Sequence, residues 1–528
     1  MLLAKKFFPL RINTVVVAWA MASLAAAQQH DGAKKLNLTD NFQYSLETQV
    51  SVADGKTPLW LNANKYGLSS LEETNGYVRA TVERPLKTDS LRKWGVGVGL
   101  DVAATHNYTS RFVVQQAYAE LRWLHGAVTV GSKQEPMQLK NNTLSTGAQT
   151  LGINARPVPQ VRLGLPDYWA LPLTGGWVHL KGHLAYGMMT DQNWQKKFTS
   201  EVNSHTKGTL YHSKAGYIKI GKEEGFFPVS FEMGLEMSTL FGGKAFVKQD
   251  DGTLQTYEGE KGAVAFWHAL KPSGGDDGET VYRNAAGDIL GSWVARLNFD
   301  ADTWRLSIYA DKFFEDHSSM FQLDYDGYGK GEEWEKKDKR KYLIYDFKDI
   351  MLGAELAFKY DKPIRHLLFE YIYSKYQSGP IYHDHTQNMS DHIGGDDNFY
   401  NHQIFGGWQH WGMVLGNPLY MSPIYNDDGQ IMVSDNRFMA FHLGADGARN
   451  RFEWRMLATW QEGVGTYQKP FLKAKRNFSF MLESGWHFGK TPQKGWHIKC
   501  AYGMDLGRLL DNNYGAQITL AYRGLFKN

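Results

Sequence analysis

Apolar and polar residues alternate with a period of two along much of the chain, and the alternation recurs to its carboxyl end. Phe452, Trp454, Met456, Ala458 and Trp460 share one face of such a run. Glu453, Arg455, Thr459 and Gln461 share the other, with Leu457 as the exception. Phe478, Phe480, Leu482, Trp486 and Phe488 alternate with Ser479, Glu483 and His487. Trp496, Ile498, Cys500, Tyr502 and Met504 alternate with His497, Lys499, Gly503 and Asp505, and Ile518, Leu520, Tyr522 and Phe526 oppose Gln517, Thr519 and Arg523. Earlier in the chain, Trp304, Leu306, Ile308 and Ala310 oppose Arg305, Ser307, Tyr309 and Asp311. Each run predicts a β-strand with one apolar and one polar face.

A soluble sandwich explains any one of these runs, since one face of each strand packs inside and the other meets water. It explains less well why aromatics stand at opposite ends of the apolar faces, as Trp454 and Trp460 or Phe478 and Phe488 do. The two aromatic belts of a membrane β-barrel require that placement. The run Trp94–Val102 carries Gly95, Gly97 and Gly99 opposite Val96, Val98 and Leu100. It lacks the third glycine of a dinucleotide loop, because Leu100 holds that place, and it reads as a strand with small residues facing inward.

Turn signals separate the runs. Asp54-Gly55, Asp300-Ala301-Asp302 and Asp361-Lys362-Pro363 are candidates for the periplasmic end. Long irregular stretches, about 242–291, 313–349 and 378–438, are the candidate extracellular loops. The segment Gln134–Pro172 carries several prolines and Ser/Thr/Asn/Gly clusters and does not read as strands. Irregular backbone at membrane depth has to be buried in protein or line a wet cavity, so it is expected to be a plug or a periplasmic insertion.

The amino terminus sets the compartment. Lys5, Lys6 and Arg11 precede an apolar stretch from about Ile12 to Leu24, and Ala25-Ala26-Ala27 offers a cleavage site. This is the order of a secretory signal peptide over residues 1–27. Cleavage after Ala27 leaves 501 residues, 28–528, as one barrel domain, because no linker or composition shift divides them. The leader holds three cations and no acid, so the +3 of the whole chain belongs to it and 55 charges of each sign remain. No excess cation is left to argue for nucleic acid. Cys500 is the only cysteine, which excludes an internal disulfide. Aromatics at 14%, 54 glycines and a mean hydropathy of −0.45 suit alternating strands with a wet interior rather than apolar helices.

Catalytic signatures fail. No H-E-x-x-H or G-x-S-x-G occurs, and Gly55-Lys56-Thr57 and Gly489-Lys490-Thr491 lack the earlier glycine of a phosphate loop. His383, Asp384 and His385, with His392, Asp396, Asp397 and His402 nearby, match no zinc spacing; Asp276, Asp277, Asp324 and Asp326 match no calcium loop. The expectation is therefore no metal, no cofactor and no enzyme. The long loops interleave aromatics with amides and imidazoles, the combination that suits the apolar faces and hydroxyl rims of sugars. Tyr382, Tyr400, Gln403, Trp408, His410, Trp411 and Asn417 are the candidate polysaccharide-binding residues.

Several stretches resemble a known family. They are Thr57–Gly67 (TPLWLNANKYG), Gln115–Leu121 (QQAYAEL), Gly131–Lys133, Asn154–Gln160 (NARPVPQ), Phe313–Ser318 (FFEDHS), Gln377–His383 (QSGPIYH) and Gly416–Leu419 (GNPL). In order and spread the sequence resembles the Wzi-type capsule-assembly proteins of the outer membrane, in their Bacteroidetes form. The resemblance implies a barrel of about 18 strands, closed by its extracellular loops. It also implies a non-enzymatic, lectin-like role, binding capsular polysaccharide and helping attach the capsule. The expected partners are capsular or exopolysaccharide and outer-membrane lipid, with a monomeric barrel. A substrate-specific channel and an outer-membrane hydrolase are the competing readings; the hydrolase has only Ser378 and loop histidines to draw on.

Overall fold

In the computed structural model, residues 41–526 are described except 91, 223–226, 271–286, 316–322, 329–336, 344–347, 361–362, 378–396 and 490–493. The leader 1–27, Tyr382, Ser378, the His383–His385 cluster and Asp276-Asp277 lie outside the described residues. So do the side chains of Asp324 and Asp326.

Eighteen antiparallel strands close into a barrel. They are β1 Gln43–Asp54, β2 Thr74–Arg84, β3 Trp94–His106, β4 Phe112–Trp123, β5 Gly126–Ser132, β6 Gln160–Ala170, β7 Val178–Met188, β8 Leu210–Ile220 and β9 Val229–Phe241. They continue as β10 Asp288–Asp300, β11 Trp304–Glu315, β12 Ile350–Phe358, β13 His366–Tyr373, β14 Phe438–Arg449, β15 Phe452–Gly465, β16 Pro470–His487, β17 Gly495–Gly507 and β18 Asn513–Leu525. Each pairs with its sequence neighbour, and β18 pairs back onto β1, from Gln43 opposite Leu525 to Asp54 opposite Tyr514. Closure leaves no sheet edge, which is what a spanning sheet requires in a medium without hydrogen-bonding solvent. Among the described residues no helix is long and apolar enough to cross a membrane.

The predicted faces hold. Phe452, Leu482, Trp486, Trp496, Ile518 and Leu520 point outward and are exposed, while Thr459, Gln461, Ser479 and Gln517 are buried inside. Leu457, the exception in its run, packs into the interior with the buried apolar cluster. The glycines of β3 face inward for a steric reason. A Cβ at Gly99 would stand 2.3 Å from the Tyr118 ring, and one at Gly97 would stand 2.8 Å from Glu120 Oε2.

One rim carries short turns, such as 124–125, 301–303 and 450–451; at the other, the connections from β5 to β6, β9 to β10, β11 to β12 and β13 to β14 are long. That asymmetry makes the short-turn rim periplasmic and the other extracellular. Aromatic pairs girdle the periplasmic rim: Trp94 with Trp123, Trp177 with Phe227, Phe299 with Trp304, and Trp496 with Tyr522. Tyr371, Phe441 and Trp460 pack in tilted ring contacts near the opposite rim.

Two expectations need correcting. Asp54-Gly55 lies at the extracellular rim, where it opens the long segment 55–73. The irregular segment ends at Pro159, because 160–170 is strand β6. Pro166 is tolerated there at a break in register with β7, between Leu165 and Trp169.

Candidate functional site

Three extracellular segments do not stay outside. Residues 55–73, 133–159 and 397–437 fold into the bore and share one apolar cluster that includes Leu59, Trp60, Leu61, Leu144, Ala155, Tyr400, Trp408, Val414 and Tyr420. They fasten to strands around the wall. Trp60 Nε1 donates to Thr459 Oγ1 of β15 (3.0 Å), and the Leu59 amide donates to Asp505 of β17 (3.0 Å). Gln517 of β18 donates to the Leu61 carbonyl (3.0 Å). The amides of Thr146 and Gln149 donate to Glu370 of β13 (2.8 Å) and Asp311 of β11 (3.1 Å). Thr150 meets Ser292 of β10 at 2.8 Å, and Gln115 of β4 donates to the Tyr66 carbonyl (2.7 Å). The insertion of 133–159 is thus an internal plug, as one of the two sequence expectations had it.

The segments also lock to one another. Asn154 donates to the Val414 carbonyl (3.2 Å), and the Gly152 amide donates to that of Leu415 (3.0 Å). A Cβ at Gly152 would stand 2.6 Å from the Gly416 carbonyl oxygen, so backbone passes backbone there. Asn64 donates to the Thr146 carbonyl (2.9 Å).

The candidate sugar-binding residues fall in this assembly. Tyr400, Trp408 and Asn417 are fully buried; His410 and Trp411 are nearly so; Gln403 is exposed. Asn417 donates to Thr146 Oγ1 (3.1 Å) and to the Gly147 carbonyl (2.9 Å). The Tyr400 hydroxyl donates to the Gln149 carbonyl. Arg156 lies 4.2 Å over the Trp411 ring. His410 meets the carbonyl of Arg156 through Nδ1 at 2.8 Å. Five of the residues expected at the surface therefore brace the inserted loops. Among the described residues no group of histidine, cysteine or carboxylate side chains has metal-holding geometry.

Desolvation depresses the imidazole of half-buried His402 in segment 397–437. His402 Nδ1 accepts the amides of Ile404 (3.1 Å) and Phe405 (3.2 Å), and desolvation pushes its pKa down to about 4. A depressed imidazole contributes stability that is present above pH 6.5 and lost as pH falls through the folded value. Protonation places a hydrogen on the lone pair that both amides use. The Ile404 and Phe405 amides are therefore expected to lose hydrogen-exchange protection between about pH 6.5 and pH 4. A His402→Gln variant should abolish that pH dependence; an unchanged profile in the variant would exclude the histidine as its source.

The exposed chemistry lies on segment 189–209, above the plug. The helix Trp194–Phe198 is seated by Trp194, which stacks on Phe198 at 4.8 Å and packs on Trp411 and Ile431. Beside it is an open cleft of about 530 Å³ lined by Asn193, Lys196, Lys197, Ser200, Glu201 and Lys207. Lys196 pairs with Glu201 at 3.1 Å. Among the described residues no acid lies within ion-pair range of Lys197 or Lys207. The sequence reading missed these lysines. Lys196-Lys197 looks like any solvated pair, and nothing local brings Lys207 beside it.

A closed, lipid-belted antiparallel barrel with extracellular loops is an outer-membrane β-barrel, and the chain resides in the outer membrane. No model of a known protein family matches the sequence, and no curated protein matches it. Solved structures do. Wzi, an outer-membrane protein of Escherichia coli involved in group 1 capsule assembly and described as a carbohydrate-binding β-barrel, aligns over 92% of this chain and 84% of its own, with a TM-score of 0.53 and 12% identity. OccK5 (OpdH) of Pseudomonas aeruginosa aligns over 92% and 98%, with a TM-score of 0.45 and 7% identity. At 12% identity the likeness to Wzi shows the fold alone.

Proposed function

We propose that this protein binds capsular or other surface polysaccharide at its extracellular rim and helps hold the capsule on the cell, as a Wzi-type protein without enzymatic activity. The observation that carries the reading is the filled bore. Three loop segments occupy the space that a channel would keep open, so the accessible chemistry lies above them. The likeness to a carbohydrate-binding barrel supports it. In this reading the buried aromatics Tyr400, Trp408 and Trp411 hold the platform, and Gln403 and the cleft of Lys196, Lys197 and Lys207 offer polar contacts to the polymer. Weak contacts suffice, because a repeating polymer binds many copies at once.

The test is binding of the full protein in nanodiscs to capsular polysaccharides from the source cell and to neutral and acidic control polymers. Selective retention of one polymer is expected. Exposed charge pairs contribute about 0.2–1 kcal/mol each, so Lys196→Gln, Lys197→Gln and Lys207→Gln together should weaken an acidic polymer by about threefold to a hundredfold, with the difference shrinking in high salt. Binding of no polymer, or a deletion strain that keeps its capsule attached, would overturn the reading.

A further inference from the structure

We propose that the short helix Gly262–Leu270 is a membrane strap. It lies on the outer wall of the barrel within the outer leaflet and turns Val264, Phe266 and Trp267 toward the acyl chains. The starting point is an anomaly in β8. At 11 residues, Leu210–Ile220 is about as long as a tilted strand must be to cross the apolar layer. Its inward positions include Tyr211, Ser213, Ala215 and Tyr217, all buried; the outward ones are Leu210, His212, Lys214, Gly216, Ile218 and Ile220. Ile218 and Ile220 suit lipid, but His212 and Lys214 do not. A cation facing hydrocarbon is among the least tolerated outward residues of such a strand.

The helix resolves the anomaly. His212 faces outward yet is fully buried, its ring 4.4 Å from that of Tyr186. Lys214 Nζ donates to the carbonyl of Leu270, at the end of the helix where unpaired carbonyls concentrate negative partial charge. The Tyr186 hydroxyl donates to the Phe266 carbonyl at 2.8 Å. Ala265 and Ala269, each 1% exposed, pack on outward-facing Phe241 of β9, with Tyr186 and Leu210 beside them. Two small residues on that face let the helix lie close to the wall.

The other face says what covers it. At 100° per residue, Trp267 points away from the midpoint of Ala265 and Ala269. Val264 and Trp267 are each 59% exposed and Phe266 is 40% exposed. The polar member, His268, is paired with Glu260 at 2.8 Å. A helix apolar on every side belongs in apolar surroundings. The wall beside it offers them: Met188 on β7, and Val161 and Leu163 on β6 opposite Tyr186 and Leu184, are exposed outward, and the same outer face continues down to Ile218, Ile220, Phe231 and Met233 nearer the periplasmic rim. Lys214 stands four residues below the start of β8, roughly 10 Å down a strand tilted about 40°, so the helix end it holds lies at the depth of acyl chains. The strap surface is continuous with the lipid belt, which selects lipid over a second copy of the chain.

The experiment uses the full protein in nanodiscs. Cys500→Ser removes the native thiol, and Trp267→Cys then carries an environment-sensitive fluorophore. Val264→Cys is the second reporter, and Lys207→Cys is the aqueous control. Quenching by lipid spin-labelled near the top of the acyl chain should exceed quenching by iodide several-fold at positions 267 and 264, and the order should reverse at 207. Iodide quenching at 267 and 264 equal to that at 207 would place the helix in water. Quenching by neither agent would place it against protein. Either result overturns the proposal.

Discussion

Replacing residues 137–154 by a short glycine-serine link is expected to turn a barrel that passes no ions into one that conducts in porin-sized steps. The expectation follows from where the hydrogen bonds go. No strand pairing of the wall includes these residues, so the ladder that closes the barrel is untouched. What disappears is the buried pair of Lys140 Nζ with Asp311 at 2.7 Å, and with it the donors to Glu370 and Asp311 from Thr146 and Gln149. The neighbouring insertion loses several anchors as well, because Asn154 and the Gly152 amide hold the carbonyls of Val414 and Leu415, although Gln461 and Gly465 still hold it to β15. With one of the three filling segments gone and a second loosened, an 18-stranded wall has room for an aqueous path. Single-channel recording in planar bilayers checks this, with heat-modifiable migration as evidence that the variant is folded. If the intact protein already conducts like the variant, the filled bore does not exist in the membrane. The channel reading would then replace the one proposed above.

The wall was legible in the sequence, and its filling was only half so. Strands such as Phe452–Gly465 and Asn513–Leu525 announce themselves because lipid on one side and a polar interior on the other impose a strict period of two. Leu457 broke that period for a reason visible only in three dimensions: it packs with the inserted segments. The proline-rich stretch from Gln134 was legible as irregular, but its end was misjudged. Pro166 looks like a breaker, and a register break in β6 accommodates it. The aromatics of 397–437 were the least legible. A ring beside an amide suits a sugar, and it suits equally a buried loop that must satisfy its own backbone. Asn417 serves Thr146 and Gly147 in that second way. Nothing in composition distinguishes the two uses; only the segment's path into the bore does.

Glu370→Ala on β13 is expected to release the tip of segment 133–159 at a larger cost than Glu355→Ala. Glu370 is fully buried on the inner face of β13. Its carboxylate accepts Ser145 Oγ at 2.5 Å, the Thr146 amide at 2.8 Å and Thr146 Oγ1 at 2.7 Å, and also the hydroxyl of Tyr309 on β11. Removing it leaves four donors in a site that water cannot readily reach. Losing one partner of a buried charged network costs about 3–5 kcal/mol, because the groups left behind stay desolvated and unpaired. Glu370→Gln is isosteric, but its amide hydrogens point at donors, so it recovers only part of the loss. The wall pairs through its backbone, so the damage should stay local. Hydrogen exchange at the Thr146 and Gln149 amides should speed by two orders of magnitude or more, taking roughly 1.4 kcal/mol per tenfold, while the β13 amides keep their protection. Glu355→Ala is the comparison. Glu355 takes one bond from Asn141 and one from Arg296, both at 2.7 Å, so its loss should loosen the base of the segment less than Glu370→Ala loosens the tip. Wild-type protection at Thr146 in Glu370→Ala would mean that the carboxylate does not hold the segment, and that apolar packing around Leu144 alone keeps the bore filled.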